Sequence, residues 1–280
     1  MATFVSTDWV EERLEAAGFL VLDARSAMRY LQGHLKSAVS LPLRKMLDQQ
    51  ARLLPVDQLS RVFGSVGLGG RETPVLYDGH DGRNAAMLAW ALEYLGRDDV
   101  HIMEVVFDRW KDQGREIFYR PVQPAARDFT ARVDAGARAC LADISGAPDL
   151  KLVDTRSREE FAGEIDAGET NADERPGHIP GAVNIVWQEL VGEDGHLLCS
   201  GEKARQVLAA AGINRNDRIV AYCQVGVRAA VAYLAFKRLG YDVRLYDASY
   251  AEWERSGLPV EKVEPSFTKE VSPGNGRQGD

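Results

Sequence analysis

"VAYCQVGVRAAVAYLAFKRLG" (residues 220–240) reads as an apolar run, a lone cysteine, a short glycine-centred loop closed by arginine, and an alanine- and leucine-rich run. "VLYDGHDGRNAAMLAWALEYLG" (75–96) has the same parts in the same order. The likeness extends outward: "LDARSAMRYLQGHLKSAVSLP" (22–42) resembles "VDTRSREEFAG" (153–163) followed by "RPGHIPGAVNIV" (175–186). The offsets agree, at 144 residues from His34 to His178, 145 from Arg83 to Arg228, 144 from Gly96 to Gly240 and 143 from Trp110 to Trp253. Only Asp23 and Asp154 differ, at 131, because "AGEIDAGETNADERP" (162–176) lengthens the second copy. That acidic stretch reads as a solvated loop. Solenoid units run to roughly 20–50 residues, so this repeat is a duplicated domain.

Each copy alternates short apolar runs with helical text. "FLVLDAR" (19–25), "PVLYD" (74–78), "LKLVDTR" (150–156) and "RIVAYC" (218–223) read as buried strands, and "VHIMEV" (100–105) and "VRLYD" (243–247) follow the helices. Such alternation predicts α/β architecture, each copy a mostly parallel sheet with helices on both faces. In the second copy Val227, Ala230, Val231, Leu234 and Phe236 form an apolar stripe at helical spacing. "REIFYRPVQPAARDFTARV" (115–133) has two prolines and no clear period. The expected domains are 1–118 and 134–263, joined by a linker over 119–133, with a polar Gly/Pro-bearing tail over 264–280.

Bulk composition excludes several function classes. The 280 residues are 45% apolar and 27% charged, with net charge −8 and no Lys/Arg-rich run, which argues against a nucleic-acid partner. No stretch approaches 18 apolar residues, so no membrane span is expected. The N-terminus "MATFVSTDWVEERLEAAG" lacks a secretory pattern. Cys140, Cys199 and Cys223 make an odd, sparse set that argues against a disulfide framework and for a reducing, cytoplasmic setting. With neither CxxC nor HExxH, no metal site and no cofactor are expected.

The chemistry centres on Cys223. It ends a strand, where open α/β sheets bind ligands, and a helix follows within a few residues. The backbone amides of Gln224, Val225, Gly226, Val227 and Arg228 can curl around the sulfur as an anion site, with Gly226 permitting the curl. Arg228 adds a positive charge. Both features favour thiolate and make Cys223 a nucleophile. A lone cysteine after an apolar run is otherwise a small core residue, but packing alone does not call for a Gly-centred, Arg-closed loop at a strand-to-helix junction.

"CQVGVR" (223–228), with "GHIPGAVNI" (177–185), "VDTR" (153–156) and "YDASYAEW" (246–253), resembles the tandem-domain rhodanese, or thiosulfate sulfurtransferase, family over about residues 5–260. The resemblance implies two tandem rhodanese-like domains with the catalytic cysteine in the second only. The first copy carries Asp78 at the equivalent position, so that domain is an inactive scaffold. The implied reaction is a double displacement, with the outer sulfur of thiosulfate held as a persulfide on Cys223 and passed to cyanide or a thiol. Cys223 is the catalytic candidate, and Gln224 through Arg228 are the substrate-binding candidates. The partners are a small-molecule sulfur donor and a thiophilic acceptor.

Three rivals share the loop. Related cysteine phosphatases place five residues between Cys and Arg, whereas four separate Cys223 from Arg228. The mercaptopyruvate sulfurtransferase branch reads Cys-Gly-Ser/Thr-Gly-Val-Thr and grips a carboxylate with an arginine where this chain has Glu160; Arg158 lies two residues away. The basic pair that follows the cysteine in thiosulfate-type members is replaced by Gln224 and Val225. A persulfide relay to a protein acceptor is the third. His34 and His178, and Arg25 and Arg156, recur in both copies and read as architecture. Arg83 matches Arg228 in the first copy, Trp253 reads as core or cleft wall, and Cys140 and Cys199 read as inert.

Overall fold

The computed structural model describes residues 2–147, 149–164 and 175–263. The tail expectation over 264–280 and most of the acidic 162–176 stretch lie outside the described residues. The first half contains strands β1 (Thr3–Val5), β2 (Phe19–Asp23), β3 (Val39–Ser40), β4 (Thr73–Tyr77) and β5 (His101–Met103). Its helices are α1 (Thr7–Glu11), α2 (Ala27–Leu31), α3 (Val56–Ser65), α4 (Arg83–Tyr94) and α5 (Phe107–Asp112). The second half contains β6 (Leu150–Asp154), β7 (Val183–Asn184), β8 (Arg218–Tyr222) and β9 (Asp242–Leu245). Its helices are α6 (Leu141–Ile144), α7 (Arg158–Ala162), α8 (Gly201–Ala210), α9 (Val227–Arg238) and α10 (Ser249–Arg255).

The strands form two sheets, in the orders β1-β5-β4-β2-β3 and β7-β6-β8-β9. Every strand pair is parallel, as continuous apolar strands joined by helical crossovers require. The α/β expectation is met. Register repeats between the copies: Asp23 lies opposite Tyr77, and Asp154 opposite Tyr222. Each central strand therefore ends beside an aspartate, and the next residue (Asp78 or Cys223) starts the loop into a helix.

Those two helices are more deeply buried than a one-sided stripe requires. Residues 85–94 of α4 and 229–236 of α9 are all buried. The reason is a second partner: α4 and α9 pack on each other as well as on their own sheets. A helix covered on both sides must be apolar all round, and its alanines permit close approach. At this seam Tyr233 Oη donates to Glu93 Oε1 at 2.9 Å, and Lys237 Nζ lies 3.5 Å from the same oxygen. Backbone bonds add a second seam, from Val106 N to Gly195 O (2.8 Å) and from Leu197 N to Glu104 O (2.9 Å).

Residues 119–133 form no helix or strand but lie along the first half. Val122 N donates to Tyr30 Oη, Arg127 N to Gly64 O and Arg132 N to Leu95 O, and the buried Phe129 packs on Phe63. No helix among the described residues is long and apolar enough to cross a membrane.

Candidate active site

Cys223 follows the last residue of β8 and is 1% exposed. Its N–H donates to Ser249 Oγ (3.1 Å) and its carbonyl accepts from Tyr250 N (3.0 Å). Gln224 O accepts from Ala251 N at 3.1 Å. The start of α10 thus braces the loop from outside. Among the described residues the N–H groups of Gln224, Val225, Gly226, Val227 and Arg228 have no protein acceptor. They lie at the N-terminus of the twelve-residue helix α9, where orphan amides and the helix dipole favour an anion.

Gly226 is the loop's necessary glycine. Its φ is +83°, and a Cβ there would meet Asp247 O at 2.6 Å and Asp247 Cα at 2.9 Å. Both contacts are backbone and cannot swing aside. Gln224, Val225, Val227 and Arg228 are half-buried. Arg156 Nη1 lies 3.5 Å from Gln224 Oε1. Arg156 is also held by Asp154 and Gly177 O and stacks on Tyr250 at 3.9 Å.

The sequence supplies Arg228 as a positive charge beside the loop, and the structure shows that charge paired. Arg228 makes a bidentate pair with Glu160, Nη1 to Oε2 at 2.6 Å and Nη2 to Oε1 at 2.8 Å. Burial works against the guanidinium's charge, but Glu160 and Cys223 hold it more firmly protonated than usual. Burial likewise pushes the Glu160 carboxyl up, yet Arg228 and the Ser157 N–H bring it below the usual range. Glu160 is fixed because it closes a capping box with Ser157 at the start of α7. The carboxylate thus offsets the positive charge that Arg228 brings beside Cys223. Arg158, on a different face of α7, is exposed and paired with Glu189 beside a separate cleft of about 840 Å³ that Cys223 does not line.

The first copy shows what the loop does with an anion. The Asp78 carboxylate accepts from the N–H groups of Gly79 (2.7 Å), Asn84 (2.8 Å) and Ala85 (3.1 Å), and from the Asn84 side chain. Its own side chain therefore fills the amide cradle. Burial pushes its carboxyl up to about 6, against these donors. Arg83 pairs with Asp81 and lies 4.8 Å from the Trp187 ring of the second half.

The remaining candidates are held in contacts within the fold. Arg25 and Arg156 form buried pairs with Asp23 and Asp154. His34 stacks on Tyr30, and His178 on Phe161. Trp253 is buried, and its Nε1 donates to Pro259 O. Cys140 is exposed, whereas Cys199 is buried and its thiol pushed up by desolvation. Sequence reasoning missed Ser249, a non-glycine residue at φ +56°, and also Asp247. Both lie in the quoted "YDASYAEW", but nothing in that string shows it touching the loop.

Comparison with known proteins agrees with this geometry. The Rhodanese-like domain model matches twice, over residues 6–113 and 137–256. Proteins named "Putative thiosulfate sulfurtransferase" from Haloferax volcanii and Saccharopolyspora erythraea are 35% and 31% identical, each over 92% of this chain and at least 95% of their own length. The 3-mercaptopyruvate sulfotransferase structure from Escherichia coli superposes with TM-score 0.79 at 25% identity, covering 89% of this chain and 99% of that one. An anaerobic ergothioneine biosynthesis enzyme from Chlorobium limicola shares the fold, with TM-score 0.84 at 21% identity over 94% of this chain and 70% of that one. The chain therefore belongs to the rhodanese-like sulfurtransferase family and carries the family's domain twice.

Proposed function

We propose that the chain moves the outer sulfur of thiosulfate to a thiophilic acceptor, cyanide or a thiol, through a persulfide on Cys223. The observation that carries this reading is the contrast between the two loops. One cradles its own carboxylate at Asp78; the other has, among the described residues, five amides without a protein acceptor in the residues directly after a cysteine.

The Cys223 thiolate attacks the outer sulfur of thiosulfate. The new S–S bond forms as the old one breaks, and sulfite leaves with the electron pair. The loop amides hold the sulfonate oxygens during attack and the persulfide anion afterwards. Cyanide then attacks the outer persulfide sulfur, thiocyanate leaves, and the Cys223 thiolate returns. No general base is needed once the thiolate has formed. Gln224, Val225, Gly226, Val227 and Arg228 are the substrate-binding residues in this account, the first four through their backbones and Arg228 as part of a neutral pair with Glu160.

3-Mercaptopyruvate is the second reading, favoured by the Escherichia coli neighbour. Its carboxylate extends away from the sulfur and needs a cation at a distance from the loop. Arg228 is occupied by Glu160 and Arg156 by Asp154, which supports thiosulfate. Steady-state kinetics with each donor at equal cyanide test this. A larger kcat/KM for mercaptopyruvate would reverse the choice of donor.

A further inference from the structure

The first domain has no cysteine at its loop, yet it is tied to the loop of the second by a continuous set of contacts. The end of α4 grips the segment that leads into the second domain: Trp90 Nε1 donates to Ala137 O (2.9 Å), and Asp134 N donates to Tyr94 O (2.8 Å). The next residue is Arg138. Its guanidinium lies 3.4 Å from Tyr94 Oη and is bidentate on Asp247, Nε to Oδ1 at 2.7 Å and Nη2 to Oδ2 at 3.0 Å. The Asp247 side chain is 2% exposed, so Arg138 is its charge partner in a buried setting. The Asp247 backbone is the wall against which Gly226 packs. Two residues later Ser249 takes the Cys223 N–H.

We propose that Arg138 is a positioning residue for sulfur transfer: anchored on Tyr94 of the first domain, it clasps Asp247 and so holds the backbone that shapes the Cys223 loop. The first domain then serves catalysis through this clasp although its own loop is closed by Asp78. The inference rests on the sulfurtransferase reading. Its test therefore includes a readout that needs no donor, the rate at which iodoacetamide alkylates Cys223 at fixed pH.

Four variants are measured in the full chain: Arg138→Ala, Arg138→Lys, Arg138→Ala combined with Asp247→Asn, and Tyr94→Phe. Arg138→Ala leaves a buried carboxylate unpaired, so it lowers the melting temperature and cuts kcat/KM for thiosulfate roughly 10- to 100-fold. Arg138→Lys still reaches one carboxylate oxygen and recovers activity to within about fivefold of wild type. The double variant removes the unpaired charge, so its melting temperature returns toward wild type. It still lacks the clasp, so turnover stays about tenfold or more down and the alkylation rate stays several-fold altered. Tyr94→Phe keeps the fold and lowers turnover roughly two- to fivefold.

A double variant whose turnover and alkylation recover together with its melting temperature would make the pair merely structural and overturn the proposal. Wild-type turnover in Tyr94→Phe would cut the link to the first domain. If wild type itself fails to turn over thiosulfate, the functional reading fails, and the alkylation rates alone still decide whether Arg138 shapes the loop.

Discussion

Replacing Glu160 by Gln should raise activity toward a dianionic donor. In wild type the carboxylate neutralises Arg228 through two short bonds. Glutamine keeps one acceptor for Arg228 or for the Ser157 N–H, and it also suits a capping box, so α7 should keep its start. What changes is one unit of charge beside the loop. At a separation on the order of 8 Å and an effective dielectric of about 20, two unit charges interact by about 2 kcal/mol. Salt screening in a half-open site removes about half of that. The remaining ~1 kcal/mol corresponds to about a fivefold gain in kcat/KM for thiosulfate. Because Arg228 holds the Glu160 carboxyl below the usual range, wild type keeps the pair ionised at neutral pH and cannot mimic the variant there. The assay is initial-rate thiosulfate:cyanide turnover at pH 7, at two ionic strengths, on protein shown to melt cooperatively. The gain should shrink at the higher salt. A kcat/KM unchanged or lowered at low salt would mean that Glu160 aims Arg228 rather than cancelling it.

Three further outcomes are expected. Cys223→Ser abolishes thiosulfate:cyanide turnover, whereas Cys140→Ser and Cys199→Ser stay within a few fold of wild type; turnover in Cys223→Ser protein would remove the nucleophile from the account. Gly226→Ala loses activity and costs about 3 kcal/mol by denaturant unfolding, from a left-handed backbone with a side chain and an unyielding contact with the Asp247 backbone; a wild-type melt and rate would contradict the packing described. Asp78 has its folded-state carboxyl raised from 3.8 to about 6, so its contribution is fully present below pH ~4 and falls by about 3 kcal/mol as pH rises through 6. Asp78→Asn should flatten the stability–pH curve over that window, and an unchanged curve would mean Asp78 is ionised in the fold at little penalty.

The architecture was legible because duplication exposes it. The strand runs "FLVLDAR", "LKLVDTR" and "RIVAYC" contain β2, β6 and β8, each strand starting with its run and ending one or two residues before it does, since a continuous apolar run that parallel neighbours cover on both sides leaves a plain trace. Strands β3 and β7, two residues each, left none, because two residues carry no period. The apolar stripe on α9 was real but incomplete; its opposite face is apolar because α4 lies on it, and a tertiary neighbour does not alter helical spacing. At the site, the cysteine, the loop and the glycine could be read locally. The state of Arg228 could not, because its partner Glu160 is 68 residues away. The Arg138–Asp247 pair spans 109 residues, and nothing in the residues beside Arg138 signals what it will meet.

Whether Cys223 carries the transferred sulfur can be read by exposing the full chain to thiosulfate, removing the excess, and measuring intact and peptide masses under non-reducing conditions. One added sulfur atom per chain is expected, confined to the peptide containing Cys223 and lost with formation of thiocyanate when cyanide is added. Sulfur found on Cys140 or Cys199, or no added sulfur on a fully active protein, would contradict it.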